Sequence, residues 1–319
     1  MRSLYSSNDA TAQCDLSQSA ITLKVERECS RQAFEIVIPA DAVFAETNIC
    51  ASACYYANGC FYSVNEGAYS HRLVYDLATN TLCANLGGRY FERDQWVISN
   101  LIRPFLQSFI LPFHNVMSLH GAALAKGERT VFLSGSGGAG KSTTTLGLMR
   151  AGWSLLSDDG PFFTFSSGRA CALSSLDYLH VTNNTLTLFP ELAPHVIGPS
   201  DYREKFAVSR TELPNAVGPS SPRPITHFLR LDRRQVDRPE FVPRDRSAVL
   251  QTLLNEGMTI FRTLPRDSFS VARSAYSRFV LNIISDVSRT SNGYDLTFAN
   301  HHLADLSSLI EGLPMPEAT

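Results

Sequence analysis

The stretch from Gly135 to Ser142, GSGGAGKS, constrains this chain of 319 residues more than any other feature. It fits the pattern G-x-x-x-x-G-K-[ST], which needs a buried strand before it and a helix after it. The glycines let successive backbone N–H groups converge on one point with the helix N-terminus behind them, an arrangement suited to phosphate oxygens. Both flanks comply: ERTVFLSG reads as an apolar strand, and KSTTTLGLMRAG as a short helix with Gly152 placed to end it. The expected nucleotide-binding residues are Gly135, Ser136, Gly137, Gly138, Ala139, Gly140, Lys141, Ser142 and Thr143. Of these, Lys141 is expected to reach the β and γ phosphates and Ser142 to ligate magnesium, Mg2+.

Phosphoryl transfer also needs a carboxylate to hold the metal, and transfer to a hydroxyl gains from a group that takes the acceptor's proton. Asp158 and Asp159 supply such a pair at the end of the apolar strand WSLLSDDG, 17 and 18 residues beyond Lys141. A right-handed crossover would set that strand end beside the P-loop. Neighbouring residues of a strand point to opposite faces, but at a strand end the chain can turn both towards one site. Two carboxylates there would raise one pKa unless magnesium offsets their repulsion, which suits a division between ligand and base. The short spacing separates this chain from motor and GTPase types, whose metal-linked Asp lies much farther downstream.

Charge narrows the partners. With 28 Lys+Arg against 30 Asp+Glu, a formal charge of −2 leaves no electrostatic footprint of a nucleic-acid or acidic-membrane binder. No apolar stretch is long enough to span a bilayer and the N-terminal residues lack the apolar core of a signal peptide, so a cytoplasmic setting is expected. The seven cysteines, Cys14, Cys29, Cys50, Cys54, Cys60, Cys83 and Cys171, include no CxxC pair, and a disulfide framework is not expected. Cys50, Cys54 and Cys60 cluster, but no nearby histidine completes a four-ligand metal site. They read instead as small apolar fillers beside Tyr55, Tyr56, Phe61 and Tyr62.

Two regions emerge along the chain. Residues 1–115 form a β-rich N-terminal region, an expected antiparallel meander through AITLKVE, AFEIVIP, CFYSVNEG, HRLVYDLATN and TLCANLGG, ending in a helix over QWVISNLIRPFLQSFILPFH. Residues 116–319 form the P-loop domain, an α/β core with a mixed sheet and flanking helices. Within it PFFTFSS, ACALSS and ITHFLRLD read as strands, and LPNAVGPSSPRP as a mobile loop. AVLQTLLNEGM, SAYSRFVLNIISDVS and HHLADLSSLIEGL read as helices, with the strand YDLTF between the last two.

The strand LHGAAL with His120 and Gly121, the loop GSGGAGKS and the stretch MRAGWSLLSDDG together resemble the HPr kinase/phosphorylase family and its wider HPr-kinase-related group, which shares a core plan with phosphoenolpyruvate carboxykinases. The spacing of 21 residues from His120 to Lys141, beside that of 17 from Lys141 to Asp158, carries the likeness over residues 116–165. The resemblance implies an ATP- and Mg-dependent kinase of serine-type hydroxyls on a protein, a peptide or a small molecule. Asp158 would be the base, Asp159 a magnesium ligand, and His120 a neighbour of the reacting phosphate. Arg203 and Lys205, in DYREKFAV, would contact the phosphate or the substrate. A homo-oligomer is compatible with the likeness. Two departures stand out: Thr143 replaces the Glu that follows the P-loop Ser in HPr kinases proper, and their downstream glycine-rich signature is missing.

Two other readings remain open. A metabolite kinase of the shikimate or gluconate type also follows its P-loop closely with acidic residues, although such chains usually begin at the P-loop strand. A nucleotide-binding switch without turnover would be expected to lose Lys141, Ser142 or the acidic pair, and this sequence keeps all of them.

Overall fold

Period-two alternation is clear in the last two strands of the first sheet, which comprises β1 (Thr22–Arg27), β2 (Val43–Ile49), β3 (Ser52–Ala57), β4 (Cys60–Asn65), β5 (His71–Asp76) and β6 (Thr81–Leu86). The computed structural model describes residues 22–27, 36–49, 52–66, 70–87, 101–102, 105–106, 111–174, 179–200, 205–209, 213, 215, 221–261 and 270–317. Leu73 and Tyr75 of β5 and Leu82, Ala84 and Leu86 of β6 are buried, alternating with half-buried neighbours. Strands β2 to β6 run as an antiparallel meander, but β1 joins β6 in parallel, which makes the sheet mixed.

Two of these strands, β2 and β3, were not expected from sequence, and AFEIVIP is no strand over residues 36–39. Pro39 cannot donate to a ladder and instead opens a turn closed by the Ala42 N–H on its carbonyl at 3.0 Å. Ile36 packs against Ala57 and Tyr62. Most of the helix expected over residues 95–114 lies outside the described residues; its end is a 3₁₀ turn, Leu111–His114. Of the cysteine cluster, Cys50 lies outside the described residues. Cys54 is buried in β3, and burial pushes the Cys60 thiol pKa up, which disfavours the thiolate a metal would need.

The chain divides into two compact units, Met1–Val116 with Thr259–Arg278, and Met117–Met258 with Phe279–Thr319. The second begins with β7 (Met117–Ser118), β8 (Ala122–Lys126), β9 (Arg129–Ser134), α1 (Lys141–Arg150) and β10 (Ser154–Ser157). There follow β11 (Phe162–Ser166), β12 (Arg169–Leu173), β13 (Leu179–Val181), α2 (Asn183–Leu188), β14 (Val196–Ser200), β15 (Lys205–Val208), β16 (Arg223–Pro224), β17 (His227–Arg233) and β18 (Glu240–Arg244). The remaining elements are α3 (Arg246–Phe261), α4 (Ser270–Thr290), β19 (Asn292–Phe298) and α5 (Leu306–Glu311). The result is mixed α/β, with several sheets and few helices.

Its main sheet runs β10-β8-β9-β17-β19-β18. The pairs β9–β17 and β17–β19 are parallel, whereas β8 is antiparallel to both β9 and β10. The C-terminal ends of β9, β10 and β17 therefore lie at the same end of the sheet. Val131, Phe132 and Leu133 make β9 a fully buried strand, and Leu146, Leu148 and Met149 of α1 pack into the same core as Leu229 and Leu231 of β17. Helix α1 ends in a Schellman arrangement, with Gly152 N–H donating to the Met149 carbonyl and Trp153 N–H to that of Leu148, both at 3.0 Å.

The loop read as mobile contains an anchor. Leu213 is buried in the core, the Asn215 amide donates to the Met149 carbonyl at 3.1 Å, and Leu155 N–H donates to the Asn215 carbonyl at 2.9 Å. The final helix is split into a 3₁₀ turn at Asn300–His302 and α5, because the His302 Nδ1 accepts from the Ala299 N–H and its Nε2 reaches the Asp237 carbonyl. Among the described residues no helix is long and apolar enough to cross a membrane.

Candidate active site

At the end of β9 the backbone turns through Gly140, whose φ of 94° caps α1 in the left-handed region. A Cβ there would also press on the Arg233 side chain at 3.1 Å and the Phe298 ring at 3.2 Å. The other side of the loop is open: a Cβ at Gly137 or Gly138 would meet nothing within 4 Å. The first turn of α1 holds no acidic side chain, so its free N–H groups and positive dipole end favour an anion. Lys141 folds back over the loop, its Nζ donating to the Gly135 carbonyl at 2.5 Å. Burial lowers the Lys141 pKa; Asp159 and Glu256 oppose the shift, and the like charge of Lys205 adds to it.

The carboxylate pair is divided by the geometry of β10. Leu155 lies opposite Leu124 and Ser157 opposite Ala123, so β10 carries an irregularity of the bulge type that re-aims the residues after it. Asp158, 4% exposed, turns inward, and its Oδ2 accepts from the His180 N–H of β13 at 3.3 Å. Asp159 turns outward, and its Oδ1 lies 3.0 Å from the His120 Nδ1, each side chain about half exposed. Gly121 permits this placing of His120, because a Cβ there would lie 2.5 Å from the Phe132 ring and 2.7 Å from the Leu133 carbonyl oxygen. Gly160 N–H donates to the Gly121 carbonyl at 2.9 Å, tying the two segments together.

His120 thus meets Asp159, and Asp159 and Lys205 act on Lys141, whereas Asp158 faces β13. Arg203 lies outside the described residues. Sequence reasoning missed Glu256, which accepts from the Ser134 hydroxyl at 3.2 Å, one residue before the glycine loop. Its signal was helical phase: Val249 and Leu253 of α3 are buried, and Glu256 follows three residues on, a carboxylate on the apolar face of a helix.

Among the described residues, no group of three or more His, Cys, Asp or Glu side chains could hold a metal alone. Magnesium is commonly held by one or two side chains together with substrate phosphates and needs no such group. The residues of a kind that could ligate it are Ser142 at the start of α1 and Asp158 and Asp159 after β10.

No family model matches the sequence, and no curated protein matches it. Among solved structures, the HPr(Ser) kinase/phosphatase from Coxiella burnetii is similar at 13% identity with a TM-score of 0.32, over 61% of this chain and 86% of that one.

Proposed function

We propose that the second unit transfers the γ-phosphoryl group of ATP to a hydroxyl, serine-like, on a protein, a peptide or a small molecule. The observation that carries this reading is the placing of the accessible His120–Asp159 pair beside Lys141, at the open glycine loop. In-line transfer asks a protein for little more than a cation on the phosphates and a positioned proton acceptor. The loop N–H groups and Lys141 hold the phosphates, and Lys205 adds positive charge. Magnesium, when bound, neutralises charge on the transferring group.

The acceptor O–H bond breaks as the new O–P bond forms, ADP leaves, and the proton passes to a carboxylate. We place that role on Asp159, held by His120, rather than on Asp158 as the resemblance implies. Asp158 is nearly inaccessible and one of its oxygens already takes an N–H, whereas Asp159 stands at the surface. A base must reach the proton it removes.

The test is label transfer from γ-labelled ATP to a serine-containing peptide library and to free L-serine, with and without Mg2+. Mg-dependent transfer is expected, with Lys141→Ala abolishing it; transfer that survives Lys141→Ala overturns the reading. Nucleotide binding with no transfer to any acceptor would mark a switch. Turnover confined to sugar or shikimate-like alcohols would mark a metabolite kinase.

A further inference from the structure

The Arg233 side chain lies across Gly140, with its Cδ placed where a Cβ on that glycine would come within 3.1 Å. It belongs to the α1 face of the main sheet: along β17, Leu229 and Leu231 point into the core shared with α1, and Arg233 continues that alternation beyond the core. Unlike its neighbours, this arginine meets no carboxylate. Asp232 pairs with Arg234 at 3.5 Å, and Arg230 pairs with Asp295 at 2.6 Å, but Arg233 has no ion pair or hydrogen bond among the described residues.

Its position adds positive charge at a place where the protein already gathers it. The N-terminal end of α1 already carries positive dipole charge and begins with Lys141, and its first turn has no acidic residue to compensate. A further cation at that end makes the site a better receptor for an anion. Binding sites leave such charge uncompensated where the missing charge belongs to the ligand.

We infer that Arg233 is a phosphate-binding residue that closes over the nucleotide's α and β phosphates from β17, opposite the Lys141 ammonium. This rests on the nucleotide reading of the glycine loop. Guanidinium and phosphate form short, charge-assisted hydrogen bonds, often two at once. Arg233 then does for the nucleoside end of the phosphate chain what Lys141 does for the terminal end.

Calorimetric titration of ADP and of adenosine into wild type, Arg233→Ala and Lys141→Ala, with thermal unfolding of each ligand-free protein, tests this. Arg233→Ala should weaken ADP binding by roughly 10- to 100-fold, the scale of a charge-assisted pair. It should leave adenosine binding unchanged and leave the ligand-free protein as stable as wild type or slightly more so. ADP affinity equal to wild type in Arg233→Ala, while Lys141→Ala loses binding, overturns the inference and leaves the nucleotide reading standing. An equal loss for adenosine also overturns it, since the contact would then be to the base. Failure of wild type to bind ADP at all removes the nucleotide reading itself.

Discussion

At the N-terminal end of β17, His227 is fully buried, its Nδ1 2.9 Å from the Thr226 hydroxyl and its Nε2 3.1 Å from the Pro314 carbonyl and 3.3 Å from Arg129. At the C-terminal end of the same strand, Arg233 is exposed beside the glycine loop, where Asp159, Glu256 and Lys205 act on the charge of Lys141. One end has neutralised its titratable group and surrounded it with partners that also fasten the C-terminal segment, since the Asn292 amide donates to the same Pro314 carbonyl at 2.9 Å. The other end sets charged side chains around the open glycine loop. The parallel strands β9, β17 and β19 divide the two ends by direction: loops and helix N-termini at their C-terminal ends offer donors, while the opposite ends can be closed.

The largest effect expected from breaking this contrast falls on the open end. Asp159→Asn keeps the shape of the side chain but removes its basicity, and phosphoryl transfer should fall by about 10²- to 10⁴-fold with ATP affinity little changed. Initial-rate kinetics with ATP binding measured in parallel would check it. If Asp158→Asn proves the more damaging of the two in a protein that unfolds like wild type, the base is Asp158 and the outward turn of Asp159 serves the metal.

The closed end predicts a pH effect on stability instead. Burial takes the His227 pKa from 6.5 down to about 4. The unfolded chain therefore binds a proton that the folded one refuses between those values, so stability is full above pH 6.5 and falls as the pH drops towards 4. The loss from this group is about 3 kcal/mol at 1.36 kcal/mol per unit. Urea unfolding at pH 7 and at pH 4.5 should show it, and His227→Gln should flatten the difference; an unchanged pH slope in that variant would falsify the assignment.

Gly121→Ala should cost about 1–3 kcal/mol, because the new methyl meets the Leu133 backbone as well as the Phe132 ring and one of them must move. Transfer should fall with it as His120 shifts, whereas Gly137→Ala, facing open space, should leave stability nearly unchanged. Equal stabilities for the two variants would show that the close approach at Gly121 is slack.

These residues show what could be seen in sequence. The strand, glycine turn and helix around Lys141 were legible because they follow one another within a single short stretch. The strands β9, β10, β17 and β19 and the helices α3 and α4 were legible for the same reason, through period. The opposite placing of Asp158 and Asp159, one turned inward and one outward, was not, since it depends on the β10 irregularity and on His180 arriving from another sheet. Nor was the anchor at Asn215, which a Pro/Gly/Ser-rich composition concealed. Strands β2 and β3 escaped because their mixed polarity blurs the alternation, and Pro39 lent AFEIVIP the look of a strand end.

The smallest expected effect sharpens the contrast most finely. Glu256 supports Lys141 by charge and Ser134 by a hydrogen bond, so Glu256→Gln keeps an acceptor for the hydroxyl while removing the charge. Burial already lowers the Lys141 pKa, and loss of an opposing carboxylate lowers it further. On the proposed reading nucleotide binding needs the ammonium, so its alkaline limb should move to lower pH in Glu256→Gln, with affinity near neutral pH within a few-fold of wild type. The charge of Asp159 acts on Lys141 more strongly than that of Glu256, so Asp159→Asn should move the limb in the same direction and farther. A limb that stays in place in both variants would mean that the carboxylates at the open end do not hold Lys141 in its charged form.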